Sequence, residues 1–316
     1  MKKVLVMGGS RFIGKHIVTM LKDHYEVIVL NRGNVSLNDP LVHELVCDRN
    51  HLAELKDLLA PYRFEYVIDI SGYTASQSEG LVQSLDLSQL KTFVYISTSA
   101  TYDMAAGLAA RKETDPIGGD SPTGDYAKNK IEAEHYLNRV FREDQLVIFR
   151  PPVVYGEDNY ILRERLMFHL IEHDLPVYVP KSNNVLSLVY VRDLARDVKL
   201  ACDGVIPGGI YNVGNQTPLT LVEWVKLCAK VMNKTANIVL VDVKEHALEA
   251  RYFFPYIDLD WVLSVDKIKA FAPQETPYEV GFKRAYDDYV ALESPIQMPE
   301  KMKAMRSELN KRFLND

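Results

Sequence analysis

The first 150 residues alternate between short apolar runs and amphipathic segments, and this alternation limits the fold more than any other feature of the sequence. Short apolar runs are typical of buried parallel strands. They predict strands at 4–7, 26–30, 41–46, 66–70, 92–97 and 146–150. Apolar residues at helical spacing predict helices between them, at 12–21, 50–59, 76–87 and 125–141. Strand and helix in alternation favour an α/β fold of the Rossmann type, with a doubly wound parallel sheet and helices on both faces.

The pattern loosens after the two prolines at 151–152, which predicts a smaller C-terminal α+β lobe. Strands are expected near 186–190, 210–213 and 238–243, and helices at 161–172, 194–202, 221–232, 278–292 and from 299 onward. Asp193 and Thr220 are placed to cap two of these helices. We therefore expect one domain at 1–155, with a return segment near 186–203, and a second lobe at 156–316.

A glycine-rich segment, 8–14 (GGSRFIG), joins the first predicted strand to the first predicted helix. Glycine permits the tight turn and lets a pyrophosphate approach the backbone, and the helix N-terminus offers free N–H groups to that anion. In this strand–turn–helix context the segment predicts that 1–155 binds NAD(P), which leaves 156–316 mainly as the substrate-binding lobe. The alternative is a turn without a ligand.

The end of the second predicted strand should decide between NAD and NADP. An acidic residue there binds the ribose hydroxyls of NAD and repels a 2′-phosphate, but this chain has Asn31 and Arg32. Because a guanidinium pairs well with phosphate, we expect NADP to be favoured over NAD, with Arg11 as a second contact. Two surface arginines without a ligand are the alternative. Asp48 is placed either to accept a hydrogen bond from an adenine amino group or to cap the next helix.

Tyr126 and Lys130 lie four residues apart in the longest predicted helix of the first domain, so they share one helix face. A lysine ammonium near a phenol favours the phenolate and lowers the pKa of the tyrosine. A tyrosine shifted in this way can give or take a proton during redox chemistry. A solvated helix face is the alternative for this pair alone.

These features together resemble the extended short-chain dehydrogenase/reductase superfamily, the group of NAD(P)-dependent nucleotide-sugar epimerases and dehydratases. The resemblance extends over nearly the whole chain and rests on Asp48 and on the segments 8–14, 97–102, 126–130, 150–156 and 191–195. It implies that Thr98 binds the substrate oxygen, that Tyr126 is the acid/base, and that Lys130 binds the nicotinamide ribose. The alternative for Thr98 is a hydroxyl that satisfies the backbone at a strand end.

The resemblance also implies a set of cofactor-binding residues at the ends of successive strands. They are Gly8, Gly9, Ser10, Arg11, Phe12, Ile13, Gly14, Asn31, Arg32, Asp48, Ser71, Gly72, Pro151 and Val153. No metal site is expected, because the histidines and cysteines show no ligand spacing.

Two departures from the family pattern are informative. The family's usual glycine loop has a middle glycine where this chain has Arg11. This loop, together with the segments 31–33 and 69–73, resembles an atypical branch that includes chloroplast stem-loop RNA-binding proteins. Sugar-nucleotide dehydratases carry an Asp-Glu pair directly after the catalytic threonine, whereas Ser99 and Ala100 stand here. The resemblance therefore disfavours dehydration.

Composition and charge narrow the class further. The net charge of −6 and the absence of a long basic run disfavour nucleic-acid binding. No apolar stretch approaches membrane-spanning length, and three scattered cysteines suit a reducing cytoplasm. We expect a cytoplasmic NAD(P)-dependent epimerase or oxidoreductase that acts on a nucleotide-linked sugar. The alternative is a cofactor-bound scaffold or RNA-associated protein without turnover.

Two further expectations concern assembly and substrate access. Many members of the family dimerise through the helix that carries the Tyr/Lys pair, so the resemblance predicts a homodimer. The loop at 103–123 is rich in glycine and proline, and we expect it to order over a substrate. A surface loop without that role is the alternative.

Overall fold

The computed structural model describes residues 1–103, 110–119, 121–292 and 296–314. Within these ranges the strands are β1 (Lys3–Met7), β2 (Glu26–Asn31), β3 (Val42–Val46), β4 (Tyr66–Asp69), β5 (Thr92–Ile96), β6 (Leu146–Arg150), β7 (Val153–Tyr155), β8 (Val177–Pro180), β9 (Val185–Leu186), β10 (Leu188–Tyr190), β11 (Gly209–Asn212), β12 (Leu219–Thr220) and β13 (Ile238–Val241). The helices are α1 (Ile13–Leu21), α2 (Leu52–Leu59), α3 (Ala75–Gln83), α4 (Asp125–Val140), α5 (Glu164–Glu172), α6 (Val191–Cys202), α7 (Leu221–Val231), α8 (Asp266–Lys269), α9 (Tyr278–Val290) and α10 (Glu300–Phe313).

Seven of the described strands form one parallel sheet in the order β11-β6-β5-β4-β1-β2-β3. The order runs outward in both directions from β1, which confirms the doubly wound α/β fold expected from the alternating pattern. In register, Met7 pairs with Asp69 and Asp69 pairs with Tyr95. The segments that follow β1, β4 and β5 therefore leave the sheet at the same edge.

Both faces of this sheet are covered, as the continuous apolar runs require. One hydrophobic cluster joins sheet residues such as Leu5 and Ile28 to the buried sides of α2, α3 and α4. Helices α1 and α6 pack against each other, and α1 contacts β1 and β2. Side chains alternate across a strand, so β1 presents Leu5 to the cluster and its neighbours Val4 and Val6 to the opposite face.

The chain divides into two compact units. Unit 1 comprises Met1–Val154, Val191–Gln216 and Leu263–Glu275, and unit 2 comprises Tyr155–Tyr190, Thr217–Val262 and Thr276–Asp316. Unit 2 contains the parallel pair β8–β13 and the antiparallel pair β9–β12, and its helices α5, α7 and α9 pack against one another. None of the helices in the described part of the chain is both long enough and apolar enough to cross a membrane.

Local capping differs from the sequence prediction at one of two positions. Thr220 caps α7 through a complete capping box with Glu223, as predicted. Asp193 is not an N-cap, because α6 begins at Val191 and Asp193 lies in its first turn, where its carboxylate accepts a hydrogen bond from Arg196. The prediction missed the start of α6 because Val191 follows β10 directly, without a turn.

The loop predicted to cover a substrate lies partly outside the described residues, since 104–109 and 120 are not among them. Its described part is attached to unit 1. Tyr102 forms an isolated antiparallel bridge with Ile117, and Arg111 a parallel one with Leu263. The Asn212 amide group also donates a 2.9 Å hydrogen bond to the Arg111 carbonyl oxygen. The closing role of this loop stays a prediction.

Candidate functional site

The segment 8–14, which we call the glycine cradle, connects β1 to α1 through a turn that tolerates almost no side-chain volume. Gly8 has φ of 91°, a conformation that L residues with a side chain rarely adopt. A Cβ on Gly14 would overlap the Gly8 carbonyl oxygen and lie 2.8 Å from Gly9 Cα. A Cβ on Gly8 would lie 2.9 Å from Ser71 Cβ. The cradle therefore keeps its backbone bare, as close approach of a pyrophosphate requires.

The cradle is also strained, and the first turn of the helix that follows it lacks acidic residues. Phe12, which precedes α1, is buried with φ of 39°. Positive φ on a bulky residue costs about 1–3 kcal/mol and is common at ligand sites. The first turn of α1, which begins at Ile13, contains no acidic residue that would compete with an anionic ligand for the helix N-terminus. Ser10 is half-buried and Arg11 is exposed.

Asn31, Arg32 and Asp48 lie at the ends of β2 and β3, beside the cradle, because Gly8 N donates a 3.0 Å hydrogen bond to the Leu30 carbonyl oxygen. Asn31 Oδ1 accepts a 2.7 Å hydrogen bond from Gly33 N. Its Nδ2 is buried and has no hydrogen-bond partner among the described residues. A buried donor without a partner is costly, so this amide is suited to a ligand oxygen. The bare cradle and this orphaned donor both fit the dinucleotide expected from the sequence.

Asp48 makes a local turn. Its Oδ1 accepts hydrogen bonds from the backbone N and side-chain Nδ2 of Asn50, at 2.9 and 2.8 Å. The hydrogen bond from the Asn50 backbone lowers the pKa of Asp48, and the nearby Arg32 charge contributes in the same direction. The alternative role of Asp48 as a helix cap is wrong, because the residue before α2 is His51, and no side-chain hydrogen bond caps that helix.

Lys130 is 4% exposed and projects from α4 to the ends of β4 and β5. Its Nζ donates to the Gly72 carbonyl oxygen at 2.7 Å and to the Ile96 carbonyl oxygen at 2.8 Å. It also lies 4.6 Å from the centre of the Tyr95 ring, a cation–π distance. We call these four residues the lysine pocket. An ammonium has three donors, so one remains after the two carbonyls.

Burial lowers the pKa of Lys130 to about 8, because the charged ammonium has lost its water. Asp69 and Glu134 oppose this shift and raise the pKa, whereas Arg49 lowers it further. The Lys130 side chain can therefore change its protonation state near pH 8, as functional lysines with a lowered pKa commonly do.

Tyr126 lies in the first turn of α4 and is 36% exposed. The centre of its ring is 5.7 Å from that of Tyr73, in a tilted arrangement. Tyr73 directly follows Gly72, so the turn after β4 contacts both Tyr126 and Lys130. Tyr126 is therefore partly exposed to solvent, whereas Lys130, one turn further along α4, is buried.

Thr98 lies just after β5, and its hydroxyl accepts a 3.1 Å hydrogen bond from Ala100 N. A hydroxyl has two acceptor positions and one donor, so its proton stays available for a substrate oxygen. The turn after β6 is adjacent, because the Pro151 carbonyl oxygen accepts a 2.9 Å hydrogen bond from Ser99 N. Val153 begins β7 and is half-buried. Thr98 thus satisfies a backbone group and keeps a donor.

Two buried ion pairs under the site were missed by sequence reasoning. Arg49 binds Asp69 through two hydrogen bonds of 2.8 and 2.9 Å. Arg150 binds Glu134 through two of 3.1 and 2.5 Å, and Glu134 also accepts from the Ser97 hydroxyl. Asp69 ends an apolar strand, and a carboxylate in that position needs a cation. That signal predicts a partner for Asp69 but does not say which basic residue it is.

Comparison with known proteins places these features in a family. The model of the NAD dependent epimerase/dehydratase family matches residues 4–214. A curated relative, chloroplast stem-loop binding protein of 41 kDa b from Arabidopsis thaliana, is 28% identical over 90% of this chain and 76% of its own length. The human dTDP-D-glucose 4,6-dehydratase is 22% identical over 91% of this chain and 90% of its own length.

Solved structures agree on the fold. The UDP-glucose 4-epimerase of Thermus thermophilus, solved as a complex with NAD, superimposes with a TM-score of 0.73. It is 24% identical, and the match covers 92% of this chain and 99% of that protein. Because dehydratases are among the relatives, the expectation that dehydration is disfavoured is not supported, even though Ala100 stands where those enzymes are expected to carry an acid.

Proposed function

The chain belongs to the NAD dependent epimerase/dehydratase family, and on that premise we propose that it is an NAD(P)-dependent epimerase or oxidoreductase acting on a nucleotide-linked sugar. The glycine cradle would hold the pyrophosphate, and the lysine pocket would face the nicotinamide ribose. Unit 2 would supply the contacts to the nucleotide-linked sugar. The dinucleotide, when bound, would supply the acceptor and donor of a hydride.

One observation carries this proposal: the lysine pocket and the glycine cradle open at the same edge of one sheet. Lys130 binds carbonyl groups at the ends of β4 and β5. The cradle follows β1, which pairs with β4. The close approach of Gly8 to Ser71 joins the two regions through the turn after β4. In doubly wound sheets this edge is where ligands bind.

Three side chains would perform the proton chemistry. Tyr126 takes the proton from a sugar hydroxyl as its carbon is oxidised, and returns it when the carbon is reduced. Lys130, as the ammonium, stabilises the phenolate form of Tyr126 and donates a hydrogen bond from its third N–H to a ribose hydroxyl. Thr98 donates a hydrogen bond from its hydroxyl to the substrate oxygen and so orients it for Tyr126.

We propose that NADP is preferred to NAD. The exposed guanidinium of Arg32 follows β2 directly, where a 2′-phosphate would be recognised, and the buried Nδ2 of Asn31 offers it a donor. Arg11 in the cradle would be a second cation. The NAD in the Thermus thermophilus complex is bound by a different protein at 24% identity, so it does not fix the preference of this chain.

The similarity to the chloroplast stem-loop binding protein favours a second candidate function, an RNA-associated protein that binds the dinucleotide without turnover. The net charge of −6 weighs against it, because RNA binding depends on neutralising phosphates. Retention of Thr98, Tyr126 and Lys130 also weighs against it, since a scaffold needs none of them.

The experiment is to incubate the purified protein with NAD or NADP and a panel of nucleoside-diphosphate sugars, and to follow the sugars by proton NMR. We expect one sugar to be epimerised without net reduction of the dinucleotide, or oxidised with it, and Tyr126→Phe to abolish either conversion. Dinucleotide binding with no conversion of any sugar, together with a salt-dependent gel shift of a stem-loop RNA, would favour the second candidate instead.

A further inference from the structure

The ion pair between Arg49 and Asp69 is buried directly beneath the turn that contacts Tyr126 and Lys130. Asp69 is fully buried at the end of β4, and Arg49 is 8% exposed. The two parallel hydrogen bonds between them fix both planes, as bidentate arginine–carboxylate pairs do. Arg49 also donates to the Ser71 hydroxyl and to the Gln77 carbonyl oxygen, both at 3.0 Å.

Because Asp69 is fixed by Arg49, it also fixes the turn that follows β4. Its Oδ1 accepts a 2.8 Å hydrogen bond from Gly72 N. The position leaves no room for a side chain, because a Cβ on Gly72 would overlap Asp69 Oδ2. The carboxylate therefore sets where the backbone of residue 72 lies, and with it the direction of the Gly72 carbonyl group.

The Gly72 carbonyl oxygen links the turn to side chains from α4 and β5. It accepts hydrogen bonds from Lys130 Nζ at 2.7 Å and from the Tyr95 hydroxyl at 3.0 Å. The next residue, Tyr73, packs its ring against Tyr126. One turn thus contacts both residues of the acid/base pair, from the side opposite to their own helix.

We infer that the Arg49–Asp69 ion pair is the positioning device of the acid/base pair. It fixes the turn 69–73. In this turn the Gly72 carbonyl oxygen binds the Lys130 ammonium, and the Tyr73 ring packs against Tyr126. Arg49 and Asp69 are positioning residues, since they act through this turn. The consequence for catalysis rests on the proposed function, but the positioning itself does not.

The charged and titratable groups around Lys130 change its pKa in opposite directions, and this difference provides a test. They are Asp69 on β4, Arg49 before α2, Glu134 on α4 and the Tyr95 ring on β5. Asp69 raises the pKa of Lys130 and Arg49 lowers it. Removing the charge of Asp69 should lower the titration midpoint, and removing that of Arg49 should raise it. General damage to the fold would not move the two variants in opposite directions.

The experiment is a pH titration of the 15Nζ resonance of Lys130 by NMR in the full-length protein without dinucleotide or substrate, with Lys130→Met to assign the signal. We expect a wild-type midpoint near pH 8. Asp69→Asn should lower it and Arg49→Gln should raise it, each by about one pH unit, as for other nearby charges. Arg49→Lys keeps the charge but not the two parallel hydrogen bonds, so the midpoint should stay near the wild-type value while the Tyr73 amide resonance shifts, because the turn is no longer fixed.

A matched control is Asp197→Asn, which removes a buried, arginine-paired carboxylate that does not act on Lys130. It should leave the midpoint unchanged. If neither test variant folds, the wild-type protein still tests the contact between Lys130 and the turn, on which the inference depends. Deprotonation of Lys130 changes its hydrogen bond to the Gly72 carbonyl, so the Tyr73 amide resonance should titrate with the same midpoint.

Unchanged midpoints in folded Asp69→Asn and Arg49→Gln, shifts of the same sign in these two variants, or a wild-type Tyr73 amide that does not follow Lys130 would each overturn the inference. Because no dinucleotide or substrate is used, a protein that fails to bind NAD(P) would refute the proposed function and leave this result intact. If turnover is found, the alkaline limb of its pH profile should move with the Lys130 midpoint in both variants.

Discussion

The glycine cradle and the lysine pocket lie at the same edge of one sheet, but they depend on different properties. The cradle depends on the absence of side-chain volume, and the pocket depends on a buried charge and its partners. In the cradle, Gly14 is required because a single added carbon would overlap the Gly8 carbonyl. In the pocket, Lys130 is held by two carbonyl oxygens and surrounded by buried ionised groups. A turn without side chains can be specified by a short run of sequence, whereas a buried charge needs hydrogen-bond partners from several strands.

The two regions should also fail in different ways. Loss of shape in the cradle should remove dinucleotide binding whatever the pH. Loss of charge in the pocket should leave much of the binding and change proton transfer and its pH dependence. Four variants test this separation, beginning with the one whose expected effect is largest.

Replacing Tyr126 with Phe removes the proposed acid/base but leaves the ring against Tyr73. We expect turnover to fall about 10²–10⁴-fold, the usual contribution of a general acid/base, with dinucleotide affinity nearly unchanged. Steady-state kinetics on the converted sugar and a binding titration on the same preparation measure both. Turnover close to wild type would mean that the pocket does not transfer the proton through this residue.

The substitution Gly14→Ala should break the cradle and spare the pocket. The new Cβ would lie 2.8 Å from Gly9 Cα, so the turn must move. We expect dinucleotide binding to weaken about 100-fold, equivalent to about 2.7 kcal/mol, and the Lys130 midpoint to stay near 8. Gly80→Ala is the control, because its Cβ meets only the flexible end of Leu52. Wild-type affinity in Gly14→Ala would show that shape does not limit binding here.

Replacing Lys130 with Met tests the cost of the buried charge. The pKa of Lys130 is lowered from its ordinary value of 10.5 to about 8, which corresponds to about 3 kcal/mol. A lowered lysine pKa means that the folded state binds fewer protons than the unfolded state between these two values. The lysine therefore destabilises the fold fully below pH 8, and this cost disappears as pH rises towards 10.5.

Denaturant unfolding of wild type and Lys130→Met at about pH 7 and about pH 10 measures this cost. The stability of the Met variant relative to wild type should fall by roughly 2–3 kcal/mol across that interval. Its absolute sign is less informative, because the Ile96 carbonyl loses a donor in the variant. Lys128→Met, an exposed lysine on the same helix, should show no such trend. A pH-independent difference would contradict the buried-charge description.

The smallest expected effect is on cofactor preference at the rim of the cradle. Arg32→Ala should weaken NADP binding about tenfold, equivalent to about 1.4 kcal/mol, and leave NAD binding unchanged. Calorimetric titration with each dinucleotide measures this, with Arg63→Ala as a control at an exposed arginine that pairs with Asp86. Equal changes for NAD and NADP would remove the argument for a 2′-phosphate contact.

Local patterns in the sequence predicted the fold and the cradle. The parallel sheet followed from apolar runs, and the turn at 8–14 from glycines between a strand and a helix. The cap at Thr220 was predicted from its residue type and its place before a helix, and its partner in the structure, Glu223, is only three residues away. In each case the interacting groups are neighbours in the chain, or repeat with a fixed period.

The pocket could not be predicted in the same way. Helical spacing placed Lys130 near Tyr126, but nothing in the spacing indicates the Gly72 and Ile96 carbonyls that hold its ammonium. Arg49 and Asp69 are twenty residues apart, and β1 and β2 lie between β3 and β4 in the sheet, so the pair forms only because the segment after β3 meets the end of β4. Such pairs depend on the topology of the whole sheet, so local sequence patterns do not predict them.

The most direct test is to denature the purified protein, identify any released nucleotide by mass spectrometry, and titrate the nucleotide-free protein with NAD and NADP. We predict that NAD(P) is released, or that the free protein binds NADP more tightly than NAD. Tightly held dinucleotide would favour an epimerase, which recycles its cofactor, and weak exchangeable binding would favour a reductase. No release and no binding of either dinucleotide would contradict the proposed site and its function together.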